Sequence, residues 1–100
     1  MFDKLLEQIE QKKAQIQKEL NNVVVEAEAE GGLVKVKASG NKKILSIEIS
    51  DSIINDKETM EDLIIVAVNR AVEKAELVYE KQMASIAGDM VPGMKNMFGM

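Results

Sequence analysis

The sequence predicts an α+β domain of order α-β-β-β-α: a three-stranded antiparallel meander between a long N-terminal and a long C-terminal helix. Three observations carry this. Residues 24–49 alternate apolar and polar side chains and are cut by Gly31-Gly32 and Gly40-Asn41. Residues 2–22 repeat apolar side chains at helical spacing. Residues 57–87 do so again, and part of that stretch is apolar nearly all round. Period two marks a strand with one buried face, and period 3.6 an amphipathic helix.

The first helix is seamed by Phe2, Leu6, Ile9, Ile16 and Leu20, with Lys13 at the position that breaks the run. Val23 and Ala27 extend the helical repeat, but residues 24–30 also alternate with period two. Val23-Val24-Val25 suits β structure, so the strand is placed from about Val24. A seam of three heptads exceeds what a small sheet covers and suggests pairing with another helix. The opposite face is rich in amides and lysines: Gln11, Lys12, Lys13, Gln15, Gln17 and Lys18. Read from residue types alone, it is a solvated helix face rather than a binding surface.

Gly31-Gly32 and Gly40-Asn41 read as two-residue hairpin turns, because Gly and Asn tolerate the positive φ that such turns need. Folding back on the first sets Glu28 opposite Lys35, Glu26 opposite Lys37, Ala29 opposite Val34 and Ala27 opposite Val36. The second sets Val36 opposite Leu45 and Val34 opposite Ile47. One face is then apolar (Val25, Ala27, Ala29, Val34, Val36, Ala38, Leu45, Ile47, Ile49) and the other carries Glu–Lys pairs. A slip of one residue would exchange the faces, so the pairs act as a register device and a solubilising surface.

After a turn over residues 50–56, Asn55 with Glu58 reads as a capping box opening the second helix. Asp56, Glu58, Glu61 and Asp62 suit the positive end of its dipole, which explains this acidic cluster without a metal. The helix runs from Lys57 to Ala87, with Gly88 as terminator. Met60, Leu63, Ile64, Ala67, Ala71, Ala75 and Val78 line one face, while Ile65, Val66, Val68 and Val72 point elsewhere. A helix apolar on several sides is covered on several sides. The sheet covers one, so a second copy is expected to cover the other through Leu63, Ile64, Ile65, Val66, Val68 and Val72. Residues 1–87 thus form one domain. Residues 88–100 read as a flexible tail rich in Met and Gly, with Pro92 and Met90, Met94, Met97 and Met100.

Composition narrows the function. The chain has 100 residues, 46% of them apolar and 3% aromatic, with no Cys and no His. This excludes disulfides, thiol chemistry, the usual zinc sites and an ordinary neutral-pH proton shuttle. No apolar run approaches a membrane span, and the N-terminus does not read as a signal peptide, so a cytoplasmic location is expected. Gly31-Gly32 lacks the ending of a phosphate loop, and Tyr79 reads as a packing residue. An enzyme, a cofactor, a metal and a small-molecule substrate are not expected. Net charge is -4, carried by the second half: residues 1–50 hold eight basic and eight acidic groups, residues 51–100 five and nine. Any basic surface must therefore be local.

The order of these features resembles the YbaB/EbfC family of bacterial nucleoid-associated DNA-binding proteins. The resemblance rests on Met1-Phe2, the Gln/Lys-rich first helix, Gly32-Leu33-Val34-Lys35-Val36, Ile47-Glu48-Ile49 and Asp56-Lys57-Glu58. It continues through Glu61-Asp62-Leu63, Ala67-Val68-Asn69 with Ala71, then Lys81, Met83 and Ala84, and the Pro-Gly-Met tail. It implies a tweezer-like homodimer on the nucleoid that binds duplex DNA with little or modest sequence preference. It also implies roles in nucleoid organisation and gene regulation. Carried over, the DNA-binding positions are Lys12, Lys13 and Lys18 on the first helix and Arg70, Lys74 and Lys81 on the second. Glu73, Glu76 and Glu80 interleave with the second set, so binding should be modest and rest on phosphate contacts. The alternative is a protein-interaction module whose Met-rich tail or helix arms hold a replication or repair partner, without touching DNA.

Overall fold

The computed structural model describes residues 2–90, with side chains through Ile86. The order is helix α1 (Phe2–Leu20), strands β1 (Val24–Ala29), β2 (Val34–Ser39) and β3 (Ile44–Ile49), then helix α2 (Lys57–Met90). Short 3-10 turns at Glu30–Gly32 and Asp51–Ile53 complete it. The strands form one antiparallel sheet in chain order. The expected α-β-β-β-α architecture is therefore the one observed.

The first hairpin has the register set by its turn residues. Glu26 pairs with Lys37, Ala27 with Val36, Glu28 with Lys35 and Ala29 with Val34. Its connection is longer than two residues, spanning Glu30 to Leu33, with Glu30, Gly31 and Gly32 all at positive φ (49°, 64° and 95°). The Leu33 N–H closes the turn on the Ala29 carbonyl at 3.1 Å. Two glycines make three left-handed residues in a row affordable.

The second hairpin corrects the sequence reading. Val36 pairs with Ile47 and Val34 with Ile49, two residues beyond the expected partners Leu45 and Ile47. Two insertions of one residue each cause the shift. The loop holds three residues, Gly40 to Lys42, and Lys42 takes the left-handed conformation at φ 69°. It closes through Lys42 N–H to Ser39 O (2.9 Å) and Ser39 N–H to Lys43 O (2.8 Å). A bulge at Lys37/Ala38 then pairs Ala38 with Ile44 and leaves Leu45 as the extra residue. A shift of two keeps Ile47 and Ile49 on the apolar face, because strand side chains alternate with period two.

Helix α2 lies on that face, chiefly over β1 and β2. Ala67, Ala71 and Ala75 are fully buried against Ala27, Ala29, Val34, Val36 and Ala38, with Ile53 closing one end. Alanines at every fourth position let the helix axis approach the sheet. Burying Val34 and Val36 contributes about 1.5–3 kcal/mol each. A larger residue at Ala71 would have to displace strand backbone, at a cost of about 1–3 kcal/mol.

Asp56, not Asn55, caps α2: its Oδ1 accepts the Thr59 N–H at 3.2 Å and its Oδ2 the Thr59 hydroxyl at 2.8 Å. The helix starts one residue later than a cap at Asn55 requires, and Thr59 takes the place intended for Glu58. At its other end α2 does not stop at Ala87 but continues through Gly88 to Met90. Glycine alone does not end a helix; it only lowers the cost of doing so. Residues 91–100 of the expected tail lie outside the described residues.

At 1.5 Å per residue, α2 is about 51 Å long and α1 about 28 Å, whereas a six-residue strand spans about 20 Å. Both helices therefore outrun the sheet on one side. The Cα radius of gyration is 18.3 Å, against about 13 Å for a globular chain of this length.

Candidate nucleic-acid interface

The α1 lysines do not form one patch. Lys12 is half-buried, on the side of the helix that also carries Ile9, Ile16 and the buried Leu20. Lys13 and Lys18 are exposed. At about 100° per residue, no two of the three lie closer than about 100° to each other round the helix. Gln8, Gln11, Lys12 and Gln15 line a shallow depression of about 250 Å³.

On α2, Arg70, Lys74 and Lys81 share one flank, being spaced by four and seven residues. All three are exposed, but two are engaged. Arg70 Nη1 donates to the Glu28 carbonyl at 2.9 Å and Lys74 Nζ to the Glu26 carbonyl at 2.7 Å. Both carbonyls belong to β1, the outer strand on that side. These cations fasten α2 to the sheet as well as offering charge to solvent.

Contacts that the sequence reading did not foresee join the arm to the sheet. Asn41 Nδ2 donates to the Gln17 carbonyl and to Asn21 Oδ1, both at 2.6 Å. The Gly40 N–H donates to the carbonyls of Leu20 (3.1 Å) and Val23 (2.9 Å). The β2–β3 loop thus adds a second donor to the Gln17 and Leu20 carbonyls, which also accept the Asn21 and Val23 N–H groups at 3.2 Å, and a donor to the Val23 carbonyl. A Cβ at Gly40 would stand 2.7 Å from Leu20 Cδ2 and 3.1 Å from Leu20 O, so this position needs glycine. Lys42 Nζ sits 4.3 Å from the centre of the Tyr79 ring, whose hydroxyl accepts from Gln17 Nε2 at 3.5 Å. Gln17, Asn21, Asn41, Lys42, Lys43 and Tyr79 line a cleft of about 380 Å³ there. The one sequence signal for this junction was Gly40-Asn41, read as a turn alone.

The six α2 residues expected at a dimer interface are dispersed. Leu63, Ile64 and Val68 pack half-buried against the core. Val72 is half-buried, while Ile65 and Val66 are exposed at 59% and 38%. Arg70 and Lys74 mark the flank toward β1, so Ile64, Val68 and Val72 lie toward β3 and Val66 shares Arg70's side. Beside that flank, Ile44, Leu45 and Ile47 of β3 are 39%, 53% and 43% exposed.

Among the described residues no group of three or more Asp or Glu is placed to hold a metal ion. No described helix is long and apolar enough to cross a membrane. The accessible surfaces are cationic and amide-rich helix flanks on a projecting arm and an uncovered apolar strand.

Comparison with known proteins places the class. The model of the YbaB/EbfC DNA-binding family matches residues 1–90, and the chain belongs to that family, which is not an enzyme family. A nucleoid-associated protein of Flavobacterium johnsoniae is 38% identical over 96 residues, covering 93% of this chain and 91% of its own. A nucleoid-associated protein of Thermoanaerobacter pseudethanolicus is 40% identical over 94 residues, covering 91% and 85%. The crystal structure of an uncharacterized Helicobacter pylori protein shares the fold, with a TM-score of 0.74 at 22% identity over 90% of this chain and 92% of that one.

Proposed function

We propose that the protein is a nucleoid-associated protein of the bacterial cytoplasm. It binds duplex DNA as a homodimer, with little or modest sequence preference, and contributes to nucleoid organisation and gene regulation. The observation that carries this is the family match over residues 1–90. The relatives' names, nucleoid-associated protein, support the location. Physically, a second copy doubles every cation on the projecting helices, so a basic cleft can form on a chain of net charge -4. The candidate contacts are Lys12, Lys13, Lys18 and Lys81, with Arg70 and Lys74 contributing charge while they hold β1. The dimer is built on the β3 side, where Leu45 and Ile47 join Ile64, Ile65, Val68 and Val72.

Changing Lys12, Lys13 and Lys18 to Ala should weaken binding to unrelated duplexes alike. It should also reduce the slope of log affinity against log salt by up to about 2.7 per protomer, or about 5.4 for the dimer, at ~0.9 for each phosphate no longer neutralised. A gel-shift titration with unaltered affinity and slope would remove these lysines from the interface. A second reading, an arm that holds a protein partner, is favoured by Phe2, Leu5 and Leu6, which are 80%, 44% and 56% exposed near the arm's tip. Polar substitutions there that abolish partner capture, in a protein that shifts no DNA at low salt, would select it.

A further inference from the structure

The exposed side of α1 away from α2 has a pattern that the lysines alone do not explain. Lys4, Gln8, Gln11, Gln15 and Lys18 follow one another at intervals of four, three, four and three residues. All five are exposed. This spacing places them on one stripe, about 21 Å long at 1.5 Å per residue. The stripe is cationic at both ends and carries three neutral amides between. Amides add no net attraction to phosphate, so a face built only for electrostatic grip would not need them. A glutamine amide presents one donor and one acceptor side by side, which matches the N7 acceptor and N6 donor of adenine in the major groove. That groove is about 12 Å wide and admits one helix.

We infer that this stripe of α1 enters the major groove, with Gln8, Gln11 and Gln15 reading adenine edges and Lys4 and Lys18 contacting phosphates at either end. The inference rests on the reading that the protein binds duplex DNA, and it supplies the modest sequence preference of that binding. Two carboxylates border the stripe, about 60° to either side: Glu7, and Glu19, which accepts from Gln15 Nε2 at 3.4 Å. In the groove they face the phosphate walls and oppose binding, so the same geometry limits affinity.

The test uses the full chain, a 20-base-pair duplex rich in A·T, a G·C-only duplex, and the A·T-rich duplex with 7-deazaadenine in place of adenine. Wild type should prefer the first over the second, and the 7-deaza substitution should remove that preference, because it deletes the major-groove N7 acceptor. Changing Gln8, Gln11 and Gln15 together to Ala should reduce the preference by about tenfold or abolish it, with the salt slope unchanged. Changing Lys4 and Lys18 to Ala should instead weaken both duplexes equally and lower the slope by about 1.8 for each α1 in the groove, or about 3.6 when both protomers engage. Changing Glu7 and Glu19 to Gln should tighten binding several-fold, a gain that misfolding cannot mimic. Salt-dependent binding with no A·T preference, or a preference that survives the glutamine changes, overturns the inference and leaves the DNA-binding reading standing. No salt-dependent binding to any duplex overturns both.

Discussion

The two edges of the sheet are treated in opposite ways. The outward carbonyls of Glu26 and Glu28 on β1 are taken by Lys74 and Arg70 from α2. Strand β3 receives no such cover, and Ile44, Leu45 and Ile47 stay exposed along it. An unpaired strand edge is a template for association. A chain that blocks one edge with two cations and leaves the other open and apolar can associate through one edge only. That asymmetry favours a closed pair over an open-ended array.

The largest expected effect comes from spoiling the open edge. Ile47→Asp should weaken self-association by about 100-fold, measured by sedimentation, with a smaller loss of the protomer's own melting temperature, because the side chain is already 43% exposed. Gly40→Ala should cost the fold about 2 kcal/mol, visible as a melting shift of several degrees, because the new Cβ collides with Leu20 where α1 joins the sheet. Opening the blocked edge is next. Arg70→Ala with Lys74→Ala should cost about 1 kcal/mol per hydrogen bond removed at these exposed sites and add species larger than a dimer as concentration rises. A strictly dimeric double variant in light scattering would show that β1 needs no guard. The smallest effect belongs to Lys42→Ala, which removes an exposed cation–π interaction worth about 0.5 kcal/mol in thermal melts.

The contrast between the hairpins shows what a sequence makes legible. Residues 24–39 were readable to the pair, because one loop length satisfies both the Gly31-Gly32 turn and the Glu–Lys alternation. Residues 36–49 were not, because Lys42 adopts a left-handed conformation that Gly40 and Asn41 advertise more loudly, and the bulge at Leu45 has no marker in residue type. The error of two kept Ile47 and Ile49 on the apolar face, but beyond the bulge the error is one residue, and Ile44, opposite Ala38, stands where Leu45 was expected. The cap at Asp56 was missed by one residue for a similar reason, since two adjacent residues are both good caps. The grip of Arg70 and Lys74 on β1 could not be read at all. It depends on where a distant helix crosses the sheet, and no local pattern encodes that. Lys12, Lys13 and Lys18 were legible as cations, but their spread round α1 appears only when helical angles are followed.

Gly40 has a mechanical consequence. The end of α1 rests on Gly40, whose N–H is shared by the carbonyls of Leu20 and Val23, and about 28 Å of helix extends beyond it. On a lever of that length, a change of about 10° at the pivot moves the far end by about 5 Å, more than the ~3.4 Å rise between successive bases. The gauge of any clamp built from two such arms is therefore set far from its jaws, by how closely one N–H can approach the Leu20 carbonyl.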